Sequence, residues 1–253
     1  MIERPARIAL LIDADNAPSS KIDVILAELA KFGVANIRRA YGNWTKRELK
    51  GWEDALHAYA IRPVQQFDYS KGKNATDMVM VIEALELLYT DRPDAFGIVS
   101  SDADFTPLVM HLRAKGAAVY GFGARKTPEP FVNACSRFLY LDDLRPASAA
   151  EDNDAGDTDR GPRLRMTPAE LRQDRKLVAL LRNAVQAAAD DDGWSAVNDV
   201  RQQIGNQASF DQRNYGYSTL TKLLAAIDLF EFADEGTSRV AVREKQAPAN
   251  RRR

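Results

Sequence analysis

Two segments of this chain end an apolar run in a pair of aspartates separated by one alanine. The first is Ile8-Ala9-Leu10-Leu11-Ile12-Asp13-Ala14-Asp15-Asn16 and the second Phe96-Gly97-Ile98-Val99-Ser100-Ser101-Asp102-Ala103-Asp104-Phe105. Aspartate is depleted in strands, so Asp13 and Asp102, each closing a run that reads as a buried strand, are candidates for chemistry. Carboxylates brought together raise one another's pKa unless a cation joins them, and hard divalent cations take oxygen ligands. Mg²⁺ or Mn²⁺ is the natural occupant of such a site, able to activate a water and to neutralise charge on a phosphate. A third acid, Asp77, follows Lys71-Gly72-Lys73-Asn74 at the start of a helical pattern. An acid in a helix's first turn is ordinary, and charged loops are commonly just solvated, but the pair also suits a phosphate-gripping loop beside a metal ligand. Asp104, ahead of Phe105-Thr106-Pro107, fits either a cap of the next helix or a fourth acidic ligand. For Asp15, ahead of Pro18, capping is the expected role.

These acids need strands and helices that bring them to one point. Arg7 to Ile12 reads as the first strand, and Ile22, Ile25, Leu26, Leu29 and Phe32 recur at helical spacing before Gly33. Ile37 to Tyr41 is a second strand. Trp44 to Tyr59 is expected as a helix burying Leu49, Trp52, Leu56 and Tyr59. Pro63 to Phe67 is a third strand, where proline suits only the first position or an edge. The helix from Ala75 to Leu88 is expected to bury Met78, Val81, Ile82, Leu85 and Leu88. The run ending at Ser100 is the fourth strand, Phe105 to Lys115 its return helix and Ala118 to Phe122 a fifth strand. A short helix over Pro130 to Cys135 and a last strand or turn at Phe138 to Leu141 follow. Strands alternating with helices argue an α/β fold with a parallel, doubly wound sheet. If its first and fourth strands pair, Asp13 and Asp102 stand together at the C-terminal edge, where such sheets bind ligands.

Other polar residues belong to the same edge. Arg125 and Lys126 follow Gly121-Phe122-Gly123, which lacks the rest of a dinucleotide fingerprint. Tyr41 and Trp44 end the second strand and offer rings to stack on bases, although a core or anchoring role is expected for Trp44. Cys135 alone allows no internal disulfide, which suits a reducing cytoplasm, and it reads as a small buried apolar residue. His57 and His111 are the two histidines, both expected on the surface, so a histidine zinc site and a Ser-His-Asp triad are not expected. The net charge of −1 neither indicates nor excludes a nucleic-acid partner. Met1-Ile2-Glu3-Arg4-Pro5 has no apolar signal-peptide core, and no apolar run is long enough to span a bilayer. A cytoplasmic protein without membrane contact is expected.

After residue 145 the pattern changes. Residues 146–165 hold Glu151, Asp152, Asp154, Asp157 and Asp159 with no periodic apolar residues, the composition of a solvated linker. A second domain, residues 166–243, follows. Leu171, Leu177, Leu180, Leu181 and Val185 mark one helix; Val197, Val200 and Ile204 a second; Leu220, Leu223, Leu224 and Ile227 a third. Phe230-Glu231-Phe232 and Arg239-Val240-Ala241-Val242 fit a hairpin, which with three helices describes a small winged-helix module. Residues 244–253, ending in three arginines, read as a basic disordered tail.

The segments around Asp13, Lys73-Asn74-Ala75-Thr76-Asp77 and Val99 to Phe105, with Ala40 to Trp44 and Val119 to Gly123, resemble the NYN family, the LabA-like (DUF88) branch of the PIN-like nucleases. The resemblance covers nearly all of residues 5–145. It implies a PIN-like (Rossmann-like) parallel sheet with flanking helices and a metal-dependent ribonuclease site built on Asp13, Asp77 and Asp102. Asp104 would be a fourth acid, and Asn16 and Ser101 supporting polar residues. Asp192-Gly193-Trp194-Ser195, Phe210 to Tyr217, Leu220 to Leu224 and Phe230-Glu231-Phe232 resemble an OST-HTH/LOTUS domain, a winged-helix module associated with RNA binding. Arg213, Tyr215 and Lys222 are its candidate RNA contacts; dimerisation or docking to a protein partner is the other reading of the module.

The leading expectation is therefore a Mg²⁺- or Mn²⁺-dependent ribonuclease acting on RNA, single-stranded above all. Asp13, Asp77, Asp102 and Asp104 would hold the metal, while Asn16, Lys71, Lys73, Asn74, Ser101, Arg125 and Lys126 would contact substrate. A non-catalytic RNA-binding regulator or adaptor that keeps the acidic pocket is the alternative. A haloacid-dehalogenase-like phosphatase is a third reading, weakened because Ala17 stands where that family carries Thr or Val.

Overall fold

β1 (Arg7–Asp13) lies between β2 (Val34–Gly42) and β4 (Ala95–Val99), and every strand of its sheet runs parallel to it. With β3 (Arg62–Gln65), β5 (Ala118–Gly123) and β6 (Arg137–Tyr140) the order is β3-β2-β1-β4-β5-β6. Strand order reverses direction between β1 and β4, which makes their C-terminal ends the switch point of a doubly wound sheet. The computed structural model describes residues 4–67, 75–144, 165–234, 237 and 239–245. Two compact units result, Met1–Thr158 and Asp159–Arg253. The expected linker and tail fall almost wholly outside the described residues, as does the loop carrying Lys71, Lys73 and Asn74.

Alternation along β1 divides the core in two. Ile8, Leu10 and Ile12 pack with Ile25 and Leu29 of α1 (Ile22–Leu29) and with Leu49 and Trp52. Ala9 and Leu11 face the other layer, with Met80 and Ala84 of α3 (Ala75–Thr90) and Leu108 and Leu112 of α4 (Thr106–Ala114). Since side chains alternate along a strand, Asp13 falls on the α3–α4 side with Leu11. Pro63 stands on β3, an edge strand, where its missing N–H costs no ladder bond.

Two expectations for this unit are corrected. The single helix over Trp44 to Tyr59 is a 3-10 turn, Arg47–Trp52, followed by the short α2 (Glu53–Ala58). Leu49 and Trp52 are three apart, a spacing that the tighter turn also puts on one side. α3 buries Thr76, Met80, Ala84, Leu87 and Leu88, whereas Met78 and Ile82 are 60% and 59% exposed. Both sets have helical spacing; the small Thr76 and Ala84 give the face that can come close to the sheet. α5 (Glu129–Ala134) completes the unit before β6.

In the second unit the expected first helix is two. α6 (Pro168–Gln173) and α7 (Arg175–Ala187) meet at Asp174, whose carboxylate accepts the Leu177 N–H and so caps α7. β7 (Ser195–Ala196), α8 (Val197–Gln207), α9 (Leu220–Ile227), β8 (Phe230–Ala233) and β9 (Ala241–Glu244) follow. The strands form an antiparallel sheet in the order β7-β9-β8. β9 starts two residues later than the expected strand at Arg239. Leu171, Leu181, Val200, Leu223 and Leu224 lie in its core. Gly216, at φ +84°, closes a 3-10 turn over Gln212–Tyr215, and the Tyr217 hydroxyl donates to Met166 O at 2.8 Å. Only glycine holds that φ without strain. Among the described residues no helix is long and apolar enough to cross a membrane.

Candidate active site

The pairing of Ile12 with Val99 sets the site. One residue further on, Asp13 meets Ser100, whose Oγ donates to Asp13 Oδ2 at 2.9 Å. Asn16 Nδ2 donates to the same oxygen at 3.0 Å. The other oxygen, Oδ1, is buried without a hydrogen-bond partner, and Asp13 as a residue is only 1% exposed. Leaving a buried polar atom unpaired is costly, so this oxygen marks a place where a ligand would be welcome. Burial pushes the Asp13 carboxyl up from the ordinary value, the bonds from Asn16 and Ser100 oppose this, and the charge of Asp15 adds to the rise.

The second acidic pair hangs from the end of β4. Ser100 Oγ accepts the Asp102 N–H at 3.1 Å, and Asp102 Oδ1 accepts the Asp104 N–H at 2.8 Å. Asp102, not Asp104, is thus the cap of the 3-10 turn Ala103–Phe105 that leads into α4. Of the two roles open to Asp104 in the sequence, capping is thus taken by Asp102, and Asp104 is exposed. Capping engages one oxygen of a group that has two.

Asp77 enters from the first turn of α3, and its pKa is pushed up to about 6. Burial is the largest cause, followed by the negative charges of Asp13, Asp102, Asp104 and Asp15. The charges of Asp13, Asp15, Asp102 and Asp104 thus all act on Asp77. Among the described residues, no three acidic, histidine or cysteine side chains are gathered as a ready-made metal cluster. In chemical type the donors suit Mg²⁺ or Mn²⁺: all are carboxylate oxygens, one of them buried and unpaired.

Asp15 is not the expected cap. Its Oδ1 pairs with Lys46 Nζ at 3.2 Å and its Oδ2 accepts from Thr76 Oγ1 at 3.1 Å, one residue before Asp77. Ser100, Thr76 and Lys46 went unread in the sequence; the β1–β4 register alone selects Ser100 over Ser101 as the neighbour of Asp13. Ser101 Oγ accepts the Ala124 N–H at 2.8 Å instead. Arg125 pairs with Asp143 at 2.7 Å and lies over the Tyr140 ring, so its guanidinium is engaged at the β5–β6 end. Lys126 is exposed, and Lys71, Lys73 and Asn74 lie outside the described residues. Tyr41 is not available for stacking: it is fully buried, and its hydroxyl donates to Glu83 at 2.8 Å. Cys135 is buried and its thiol is pushed up to about 12 by burial. His111 bonds the Tyr89 hydroxyl at 3.0 Å, near the end of α3 opposite to Asp77.

In the second unit Arg213 forms a two-pronged bond to the fully buried Asp211, at 3.0 and 2.8 Å. That pairing ties Arg213, expected as an RNA contact, to Asp211. Tyr215 stacks on Phe210 at 5.8 Å between centroids, and Lys222 is exposed in the first turn of α9.

A doubly wound α/β unit with an acidic pocket at its switch point, and a separate winged-helix unit, define the class of this protein. Residues 7–142 match the NYN domain, and residues 172–241 match the OST-HTH/LOTUS domain. The chain belongs to the NYN domain family, whose fold and kind are those of PIN-like nucleases, and carries an OST-HTH/LOTUS domain, a type of module that binds RNA. The uncharacterised protein MJ0482 of Methanocaldococcus jannaschii is 31% identical over 122 residues, 47% of this chain and 48% of that protein. The chain thus spans about half the length of this relative. A protein of unknown function from Vibrio parahaemolyticus superposes with a TM-score of 0.48 at 18% identity, covering 57% of this chain and 99% of the other. An uncharacterised protein from Nitrosomonas europaea gives 0.29 at 21% identity, over 41% and 97%.

Proposed function

We propose that residues 1–145 are a ribonuclease domain hydrolysing RNA phosphodiesters with a divalent cation, and that residues 166–243 add RNA affinity. Residues 146–165 would be an acidic linker and 244–253 a basic tail. The observation that carries the reading is Asp13 Oδ1, a buried carboxylate oxygen without a partner, together with an Asp77 whose pKa burial and the charges of four other carboxylates, Asp13 among them, raise to about 6. Asp13, Asp77, Asp102 and Asp104 are the residues that would hold Mg²⁺ or Mn²⁺. When bound, such an ion supplies an activated water and charge neutralisation at the phosphate. Ser100 and Asn16 fix Asp13 by its second oxygen and leave the first without a hydrogen-bond partner. Lys46 and Thr76 hold Asp15 at the side of the pocket and limit its charge there. Asn16, Ser101, Lys126 and the Lys71–Asn74 loop are the further residues proposed to contact single-stranded RNA, with Lys222 and Tyr215 in the second unit.

One observation favours a second reading, a non-catalytic RNA-binding regulator: the acids are not gathered as a ready-made ligand cluster among the described residues. A single experiment separates the two. Purified protein is incubated with labelled single-stranded RNA in Mg²⁺, in Mn²⁺ and in chelator, beside Asp13→Asn. Metal-dependent cleavage that Asp13→Asn abolishes is the expected result. RNA binding without cleavage in any metal would establish the regulator instead.

A further inference from the structure

Beside the acidic pocket lies a groove of about 600 Å³, lined among others by Trp44, Lys46, Arg47, Lys50, Leu56 and Pro63. Its volume falls within the roughly 300–1,000 Å³ typical of small-molecule sites. The groove is built, not incidental. Asn43 Oδ1 accepts from Thr45 Oγ1 at 2.7 Å and from Gln65 Nε2 at 3.1 Å, turning the chain back at the end of β2. Trp44 then donates its indole N–H to Val64 O at 3.0 Å and its backbone N–H to Gln65 Oε1 at 3.1 Å. That fixes a half-buried ring against the edge strand. Three cationic side chains and one acid, Glu53, line the groove, and Arg47 and Lys50 are exposed to solvent.

The groove adjoins the acids through one shared residue, Lys46. Lys46 lines it and also pairs with Asp15, which bonds Thr76 beside Asp77. Gly42 stands at the junction: a Cβ there would lie 2.8 Å from Leu49 Cδ1 and 3.8 Å from Asp15 Cγ. The buried Leu49 and Ala14 fill the space beside Gly42, so the contact between groove and acids runs through Lys46. An occupant must be flat and apolar in one part, to meet Trp44, Leu56 and Pro63, and anionic in another, to meet Arg47 and Lys50. It must also fit beside Lys46, which pairs with Asp15. A nucleotide satisfies all three conditions, since bases stack on aromatic rings and phosphates pair with cations.

We propose that this groove binds the nucleotide adjoining the scissile phosphate, with its base on Trp44 and its phosphates on Arg47 and Lys50. The inference rests on the ribonuclease reading for the word scissile, but RNA occupancy of the groove is testable without it. The test uses the full chain and a short single-stranded RNA, measured by fluorescence anisotropy in chelator and by cleavage in Mn²⁺. The double variant Arg47→Glu/Lys50→Glu should melt like the parent. It should bind the RNA at least ~10-fold more weakly, with a salt slope lowered by about two. Replacing one nucleotide by an abasic residue should weaken binding to the parent but not further to Trp44→Ala. A double variant that binds and cleaves like the parent would overturn the groove while leaving the ribonuclease reading intact. Binding that depends on Arg47 and Lys50 without cleavage in any metal would support the groove and overturn the ribonuclease. Displacement of the RNA by polyglutamate at equal charge concentration would assign the groove to an acidic protein segment and overturn the proposal.

Discussion

Ser100 Oγ donates to one oxygen of Asp13 at 2.9 Å, while the other oxygen of Asp13 is buried and has no hydrogen-bond partner. The serine thus orients the carboxylate and favours its ionised form, against the burial that opposes it. Ser100→Ala should cost roughly 1.5–3 kcal/mol at neutral pH, the range for a hydrogen bond to a charged group. The loss should shrink as the pH falls, because burial raises the Asp13 pKa and protonation removes the charge assistance of the bond. Urea unfolding at pH 7.5 and pH 4.5 checks this. Equal losses at both pH values would mean that Ser100 matters only through the Asp102 N–H it accepts.

Asp77 carries a prediction about pH. Its folded pKa, about 6, lies above the ordinary 3.8. Between these values the folded protein holds more proton than the unfolded chain, so stability falls as pH rises through that window. Burial acts on Asp13 in the same direction. In chelator, the melting temperature should therefore drop from pH 4.5 to pH 7 by an amount that Asp77→Asn reduces. At pH 7 the Asn variant should melt higher than the parent. Adding Mn²⁺ should stabilise the parent more at pH 7.5 than at pH 5, because protons compete for the carboxylates. An Asp77→Asn protein that melts lower than the parent at pH 7 in chelator would refute the surplus of negative charge.

Asp102 and Asp104 differ in what else they do. Asp102 caps the turn that starts α4, and asparagine accepts the same hydrogen bond. Asp102→Asn should keep the fold while weakening metal binding, and should lower cleavage on the order of 100-fold, with RNA affinity unchanged or tighter. Asp102→Ala should in addition lose about 1 kcal/mol of stability with the cap. Asp104→Asn should hurt cleavage less. Melting, RNA affinity and Mn²⁺-dependent cleavage on the three variants check the ranking; an Asp102→Asn protein that cleaves at the parental rate would remove Asp102 from the metal site.

The strands were readable because a buried parallel strand leaves a short apolar run with an abrupt polar end, and Asp13 and Asp102 sit at such ends. What the sequence hid depends on register and close packing. Ser100 and Ser101 are indistinguishable until Ile12 is known to pair with Val99. Asp15 looks like a cap until β2 brings Lys46 round to it. On α3, Met78 and Ile82 are more apolar than Thr76 and Ala84, yet the smaller pair faces the sheet. Asp174 splits the expected helix within five polar residues, Arg172 to Lys176, where its carboxylate caps α7.

Arg213 and Lys222 offer the last test, since both are cations of the second unit with opposite surroundings. The guanidinium of Arg213 grips both oxygens of Asp211, a carboxylate with no solvent exposure. Removing one partner of a buried pair strands the other charge and typically costs about 3–5 kcal/mol. Arg213→Ala should therefore unfold the second unit at much lower urea and leave the transition of the first where it was. Lys222 is exposed, and its backbone N–H is already held by the Thr219 side chain. Lys222→Ala should leave stability within about 0.5 kcal/mol and weaken RNA binding only modestly, with a salt slope smaller by about one. Two-step urea unfolding followed by fluorescence, with RNA anisotropy on the same variants, separates the outcomes. If Arg213→Ala keeps its stability and loses RNA affinity alone, Arg213 is an RNA contact and not a clamp on Asp211.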